Sequence, residues 1–277
     1  MGFRLFGYAV VLVMVSLMLP SCSQEETAPN SFEEQGQLKI YLIDNPAVFD
    51  AVNIVVTRVE AHLSGADSTS GWVVLSDSTA TYDLLVLRNG VSAVLADSVL
   101  PAGNYTQLRL IVGDGSTVVV DGMTHPLEIP SGTQTGVKLN HPFSIPAGGI
   151  VELTLDFDAD RSVIQTGSGD YQLQPVIRVQ ATTASGSISG VALPLDAQIS
   201  VYTTVGSDTV SASPDSGTGF FKLMALPEGT YTVSFRPANP AYEEMAVSGV
   251  EVLPGQDTGL GVVLIGSFQI SVGKTQR

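Results

Sequence analysis

The sequence predicts an all-β protein made of two consecutive β-sandwich domains, and three observations carry that expectation. Of 277 residues, 44% are hydrophobic and only 14% charged, with Lys and Glu sparse beside Val, Leu, Ile, Thr, Gly and Ser. That is a folding composition, and it favours strands and turns over helices. From Gln37 onward, short runs alternate apolar and polar residues and are broken by Gly, Pro, Asp and Asn. Finally, LPAGNYT at Leu100–Thr106 returns as LPEGTYT at Leu226–Thr232. In a sandwich such a Tyr covers the end of the core while its hydroxyl bonds nearby backbone. Shared turn chemistry without duplication explains the phrase equally well.

Residues 1–21 read as a signal segment. Arg4 precedes an apolar stretch from Leu5 to Leu19, too short for a stable transmembrane span of about 20 residues. Leu19 and Ser21 match the large-apolar and small-residue preferences that precede the cysteine of a bacterial lipoprotein signal. Cys22, the only cysteine, then becomes the lipidation site, and a second acyl chain on its freed amino group gives stable anchoring. An ordinary signal peptide with an incidental cysteine is the alternative. One cysteine also excludes an intrachain disulfide and a cysteine-rich zinc site. Ser23, Gln24, Glu25 and Glu26 resemble the acidic export tag of surface lipoproteins in Bacteroidetes-type bacteria, which implies the outer membrane. Residues 22–36 lack apolar periodicity and read as a lipidated flexible tether.

The first sandwich is expected over residues 37–180. Leu38, Ile40 and Leu42 fall on one face of QLKIYLID, and Leu108, Leu110 and Val112 on one face of YTQLRLIV. In IVELTLDFD, Val151, Leu153, Leu155 and Phe157 oppose Glu152, Thr154, Asp156 and Asp158. Asp121-Gly122 marks a tight turn. Around Asp83 to Leu95, Asn89-Gly90 limits any helix to a short or 3₁₀ turn. A linker is expected at 181–185, a second sandwich at 186–266 and a tail at 267–277, where Phe268, Ile270 and Val272 alternate as in a strand.

YLIDNPAVFDAVNIVVTRVEAH, TYDLLVLRNG, LPAGNYTQLRLIV, VDGMTHPLEIPSGTQTGVKL, LDFDADRSVI and GDYQLQPVIRV together resemble a bacterial domain-of-unknown-function family, number 4382. The resemblance implies an extracytoplasmic, often lipid-anchored sandwich and no known reaction. Gly190-Val191, Asp215 with Gly219-Phe220, Leu226-Pro-x-Gly-x-Tyr231 and Gly249-Val250 with Gly255 resemble the carboxypeptidase regulatory-like module. That module is a transthyretin-like (prealbumin-like) sandwich without a protease site, with a structural or interaction role.

The net charge of −15 repels nucleic acid and anionic surfaces, so the folded part is not expected to bind either directly. The strongest local candidate is Asp156, Asp158 and Asp160, three carboxylates at strand spacing that offer oxygen ligands to Ca²⁺. Arg161 occupies the EF-hand turn-glycine position and supplies a counter-charge, so a capped strand end with Asp–Arg pairing is the structural alternative. Asp170 joins the cluster if its turn folds back. Asp83, Asp156 and Asp158 are nominal glycosidase acids with nothing to place a pair at the required separation. His62, His125 and His141 lack ligand spacing, and the latter two read as loop positions before Pro. Trp72, Tyr82, Tyr105 and Tyr171 form a sugar-stacking platform only if exposed together; core or sandwich-end positions are the plainer reading. No nucleophile elbow or phosphate-binding loop is present.

These features predict no catalytic set. They point to a lipid-anchored envelope protein that binds an extracellular protein or glycan, or assembles at the surface. Two alternatives are a cation-dependent glycan binder or glycan-processing protein using the Asp156–Asp160 face, and a fimbria-like subunit using the tail.

Overall fold

A computed structural model of the chain describes residues 35–130 and 136–267. The first half holds β1 (Gln35–Asn45), β2 (Ala51–Leu63), β3 (Trp72–Ser76) and β4 (Ala80–Asp83), then a 3₁₀ turn at Leu84–Val86. Next come β5 (Ala93–Pro101), β6 (Gly103–Val112), β7 (Thr117–Val120) and β8 (Met123–Glu128). After β9 (Val137–Ile145) and β10 (Ile150–Asp158), one helical turn spans Ala159–Ser162. β11 (Val163–Gln165), β12 (Tyr171–Leu173) and β13 (Ile177–Ala181) complete the first sandwich.

Its two sheets follow from the alternation. One orders β13-β10-β1-β5; the other orders β11-β12-β8-β7-β2-β6-β9, with β3 and β4 also on β2. Leu38, Ile40, Leu42, Leu108, Leu110, Val112, Leu153, Leu155 and Phe157 are each no more than 1% exposed, so the apolar faces read from the sequence are the core faces. β1 starts at Gln35, so Gln35 and Gly36 are paired strand and not tether. The segment around Asp83 forms only the 3₁₀ turn, where the Asp83 carboxylate accepts the Leu85 N–H at 3.1 Å. Asp121 and Gly122, with φ of 50° and 73°, join β7 to β8 in the left-handed geometry that a two-residue hairpin requires.

The second sandwich comprises β14 (Ser185–Leu193), β15 (Ile199–Val205), β16 (Asp208–Ala212), β17 (Phe220–Pro227), β18 (Gly229–Pro237), β19 (Met245–Val252) and β20 (Asp257–Leu264). Its sheets order β17-β14-β20 and β16-β15-β18-β19. They close on a separate core where Phe221 and Phe235 meet edge to face, 5.6 Å between centroids. Between the sandwiches the backbone is ordered: Ala181 ends β13, Thr182–Ala184 is a 3₁₀ turn and Ser185 opens β14. Both sandwiches belong to one compact unit.

The repeated phrase has one structural meaning in both halves. Tyr105 donates its hydroxyl to the Pro101 carbonyl at 2.8 Å, and Tyr231 to the Pro227 carbonyl at 2.7 Å. Each Tyr reaches back four residues and fastens the turn that launched its strand. Tyr105 also stacks on Phe143, 5.2 Å between centroids. Tyr105→Phe deletes one buried hydrogen bond and leaves the Pro101 carbonyl unpaired. It should cost about 1 kcal/mol, read as a lower urea midpoint by the fluorescence of Trp72, the only tryptophan. An unchanged midpoint would show that the hydroxyl contributes nothing to the turn.

Candidate functional site

The chemistry-bearing residues gather where the sandwiches meet. β17 and β16 are outer strands of their sheets, so each has a backbone edge without a neighbouring strand. Such edges invite pairing with foreign strands unless something covers them. Here the first sandwich covers both. Asn89 accepts the Lys222 N–H at 3.1 Å and donates to the Ser213 carbonyl at 2.9 Å. Arg178, on β13, donates one guanidinium N–H to the Ala225 carbonyl at 2.7 Å. Asn45, at the end of β1, accepts the Ser211 N–H at 3.0 Å. Asn89 sits at φ 54°, which orients its amide toward β17 and which Asn tolerates better than most residues.

The acidic residues take different roles from one another. β10 is paired on both edges and buried on both faces: Leu155 and Phe157 enter the core, while Thr154 and Asp156 lie on the opposite face, under the second sandwich. Asp156 is 3% exposed and paired at 2.7 Å with Arg178, not with Arg161. Burial pushes its carboxyl upward while the guanidinium opposes the rise. Asp158 ends the strand and caps the helical turn, accepting the Arg161 N–H at 2.9 Å. Arg161 lies 3.6 Å from Asp158 and 3.9 Å from Asp208 of the second sandwich.

Because Asp is a strong N-cap, the strand's two-residue period stops at Asp158. Asp160 is therefore exposed on the helical turn and does not continue the face of Asp156 and Asp158, contrary to the sequence expectation. Asp170 stays in its own turn, bonded to Ser168. Among the described residues, no group of three or more His, Cys, Asp or Glu is placed to hold a metal ion. Asp156 and Asp158 line a cavity of about 120 Å³ together with Asp208, Arg161 and Arg178.

Sequence reasoning missed Asp44. It is 4% exposed; one oxygen accepts the Ala159 N–H at 3.0 Å and the other has no hydrogen-bond partner. Burial, with Asp156 and Asp158 nearby, pushes its pKa up to about 8. Alternation within β1 gave no signal, because this end of the strand is covered on both faces.

The aromatic expectation resolves residue by residue. Tyr105 and Tyr171 are buried, while Trp72 lies under the Arg109 guanidinium at 4.0 Å, beside His62. Arg109 in turn pairs with the buried Glu60. Tyr82 donates to the Val94 carbonyl at 3.3 Å, so the four rings form no shared platform. His125 and His141 lie within β8 and β9 and not in loops. A cleft of about 420 Å³ opens beside the joint, with Tyr41 and Glu152 on one wall and Lys222 and Asp257 on the other. Cys22, Leu19, Ser21, Ser23, Gln24, Glu25, Glu26 and the alternating tail residues Phe268, Ile270 and Val272 lie outside the described residues. Among the described residues no helix is long and apolar enough to cross a membrane.

Residues 35–175 match the family model described as "Domain of unknown function (DUF4382)". The chain belongs to this family. The DUF4382 segment contains Asp44, Asn45, Asn89 and the Asp156–Asp160 run, whereas Arg178 and the whole second sandwich follow it. No curated protein matches the chain. Among solved structures, a mutant type II cohesin–X-dockerin complex from Acetivibrio cellulolyticus is 25% identical over 33% of this chain and 64% of that one, with a TM-score of 0.25. The chain thus spans under two thirds of that structure's length. The Bacillus anthracis TIE protein is 15% identical, covering 84% of this chain and 35% of its own, with a TM-score of 0.23. A mutant shaft pilin SpaA from Lactobacillus rhamnosus GG is 9% identical, covering 86% and 98%, with a TM-score of 0.26.

Two measurements test the joint. Arg178→Ala strands the buried Asp156 charge and uncaps Ala225, and breaking such a pair costs about 3–5 kcal/mol. Calorimetric unfolding should register that loss, together with faster proteolysis at Thr182–Ala184. Asp44 gives a pH signature. Its folded-state pKa lies above the ordinary 3.8, so its contribution is complete at acidic pH and is lost as pH rises toward about 8. Asp44→Asn keeps the bond to Ala159 without the charge. Its stability should fall less steeply over that window, by up to about 1.4 kcal/mol per pH unit, in urea titrations at stepped pH. Parallel slopes would refute the buried-acid assignment.

Proposed function

We propose that this DUF4382 protein is a lipid-anchored component of the cell envelope, at the outer membrane and displayed at the surface, whose two sandwiches serve as one non-enzymatic binding or assembly module. The observation that carries the anchor is the placement of the lone cysteine. Cys22 directly follows an apolar segment that ends Leu19-Pro20-Ser21 and precedes both sandwich segments in the sequence. A diacylated terminus gives stable attachment where one chain would not.

The joint supports the module reading. Its acids already have partners: Asp156 holds Arg178, whose guanidinium reaches the Ala225 carbonyl of the second sandwich, and Asp158 caps the helical turn. Polar side chains of one sandwich satisfy the backbone of the other, which ties the two together at the joint.

Metabolic labelling with a tagged palmitate tests the anchor in the native host. Wild-type protein should take the label and fractionate with membranes, and Cys22→Ser should lose the label. Protease added to intact cells should digest the anchored form if Ser23–Glu26 direct it outward. An unlabelled wild-type protein would overturn the anchor.

A further inference from the structure

The cleft beside the joint has the size and chemistry of a small-ligand site. Binding clefts commonly lie between domains and have volumes of roughly 300–1,000 Å³, and this open cleft has about 420 Å³. Its first wall is the side of the β13-β10-β1-β5 sheet that faces away from the first core. There Tyr41 stands between Thr154 and Val94 in the strand register, and its hydroxyl lies 3.4 Å from Glu152. The second wall carries Lys222, 3.3 Å from Asp257, whose carboxylate also accepts from Ser187 and Ser189. Ile43, Met224 and Ala225 add apolar lining.

We propose that this cleft binds a neutral sugar of one or two rings. A pyranose offers a C–H face to an aromatic ring and hydroxyls that donate and accept at its rim. The cleft supplies an aromatic ring at Tyr41, a carboxylate acceptor at Glu152 and an ammonium donor at Lys222. Other chemistries fit less well. An anion meets Glu152 and Asp257 in a chain of net charge −15. An aliphatic chain would desolvate Glu152 and Lys222 without replacing their hydrogen bonds. A small cation would find Asp257 already held by Lys222 and two serines. The site is independent of Asp156, Asp158 and Asp160, none of which lines it.

The inference names a ligand for the binding module proposed above and rests on that reading. The test is calorimetric titration of the purified full-length protein with maltose, cellobiose, mannobiose, lactose and chitobiose, with spermidine as a cationic control. At least one disaccharide should bind with a Kd under about 1 mM, unchanged by EDTA. Glu152→Gln and Tyr41→Ala should each weaken it by about tenfold or more, with the melting temperature of Glu152→Gln close to wild type. Asp160→Asn should leave it unaltered. No binding by any of the five sugars, binding that survives both cleft substitutions, loss on adding EDTA, or binding of spermidine alone would each overturn the proposal. The palmitate label on Cys22 is read separately, so a silent titration with an intact label removes the sugar and leaves the anchor standing.

Discussion

The molecule depends on how two unpaired strand edges are covered. β16 and β17 would each expose a row of backbone donors and acceptors if the second sandwich stood alone. The first sandwich answers with Asn45, Asn89 and Arg178, side chains whose hydrogen-bonding groups substitute for a missing strand. Side-chain capping fixes position without continuing the sheet, so two cores stay distinct while their relative placement is set. The three-residue turn between β13 and β14 could not do this alone; it only keeps the partners close.

Covering those edges explains the burial of polar groups nearby. A strand face that reads as solvent-facing, Thr154 and Asp156, becomes interior once the second sandwich lies on it. Arg178 is the economical solution, since one guanidinium neutralises Asp156 and caps Ala225 at the same time. Asp44 has no such partner, and a neutral carboxyl is the form its surroundings favour. Acidic groups that suggest cation binding in a one-dimensional reading are here part of the joint's own electrostatics.

What was legible in the sequence was what depends on short-range periodicity. The core faces of β1, β6 and β10, the Asp121-Gly122 hairpin and the paired Tyr turns all follow from residues within one strand or one turn. The joint was not legible, because it links residues 47 to 166 positions apart: Asn89 reads as a helix breaker, and nothing local connects it to Lys222. The Asp156–Asp160 run misleads for a related reason. Alternation is a property of a strand, and Asp158 ends the strand by capping a helical turn. Tyr41 and Glu152 were likewise hidden, since the opposite wall of the cleft they line comes from the second sandwich, far along the sequence.

The chain enters the first sandwich at the start of β1 and leaves it at the end of β13, and these points lie at the same end of one sheet. Gln37 is opposite Ile150, and Ala181 is opposite Leu153, only two strands away. Tension between the chain ahead of Gln35 and the second sandwich would therefore tend to peel the sheet, loading its bonds in succession. Asn45 and Arg178, the latter held by Asp156, sit at the opposite end of those same strands and grip the second sandwich there. Force then has a second route, along the length of β1 and β10 and through the caps, where many bonds share the load at once. For a protein held at one end and pulled at the other, the joint is also a mechanical brace.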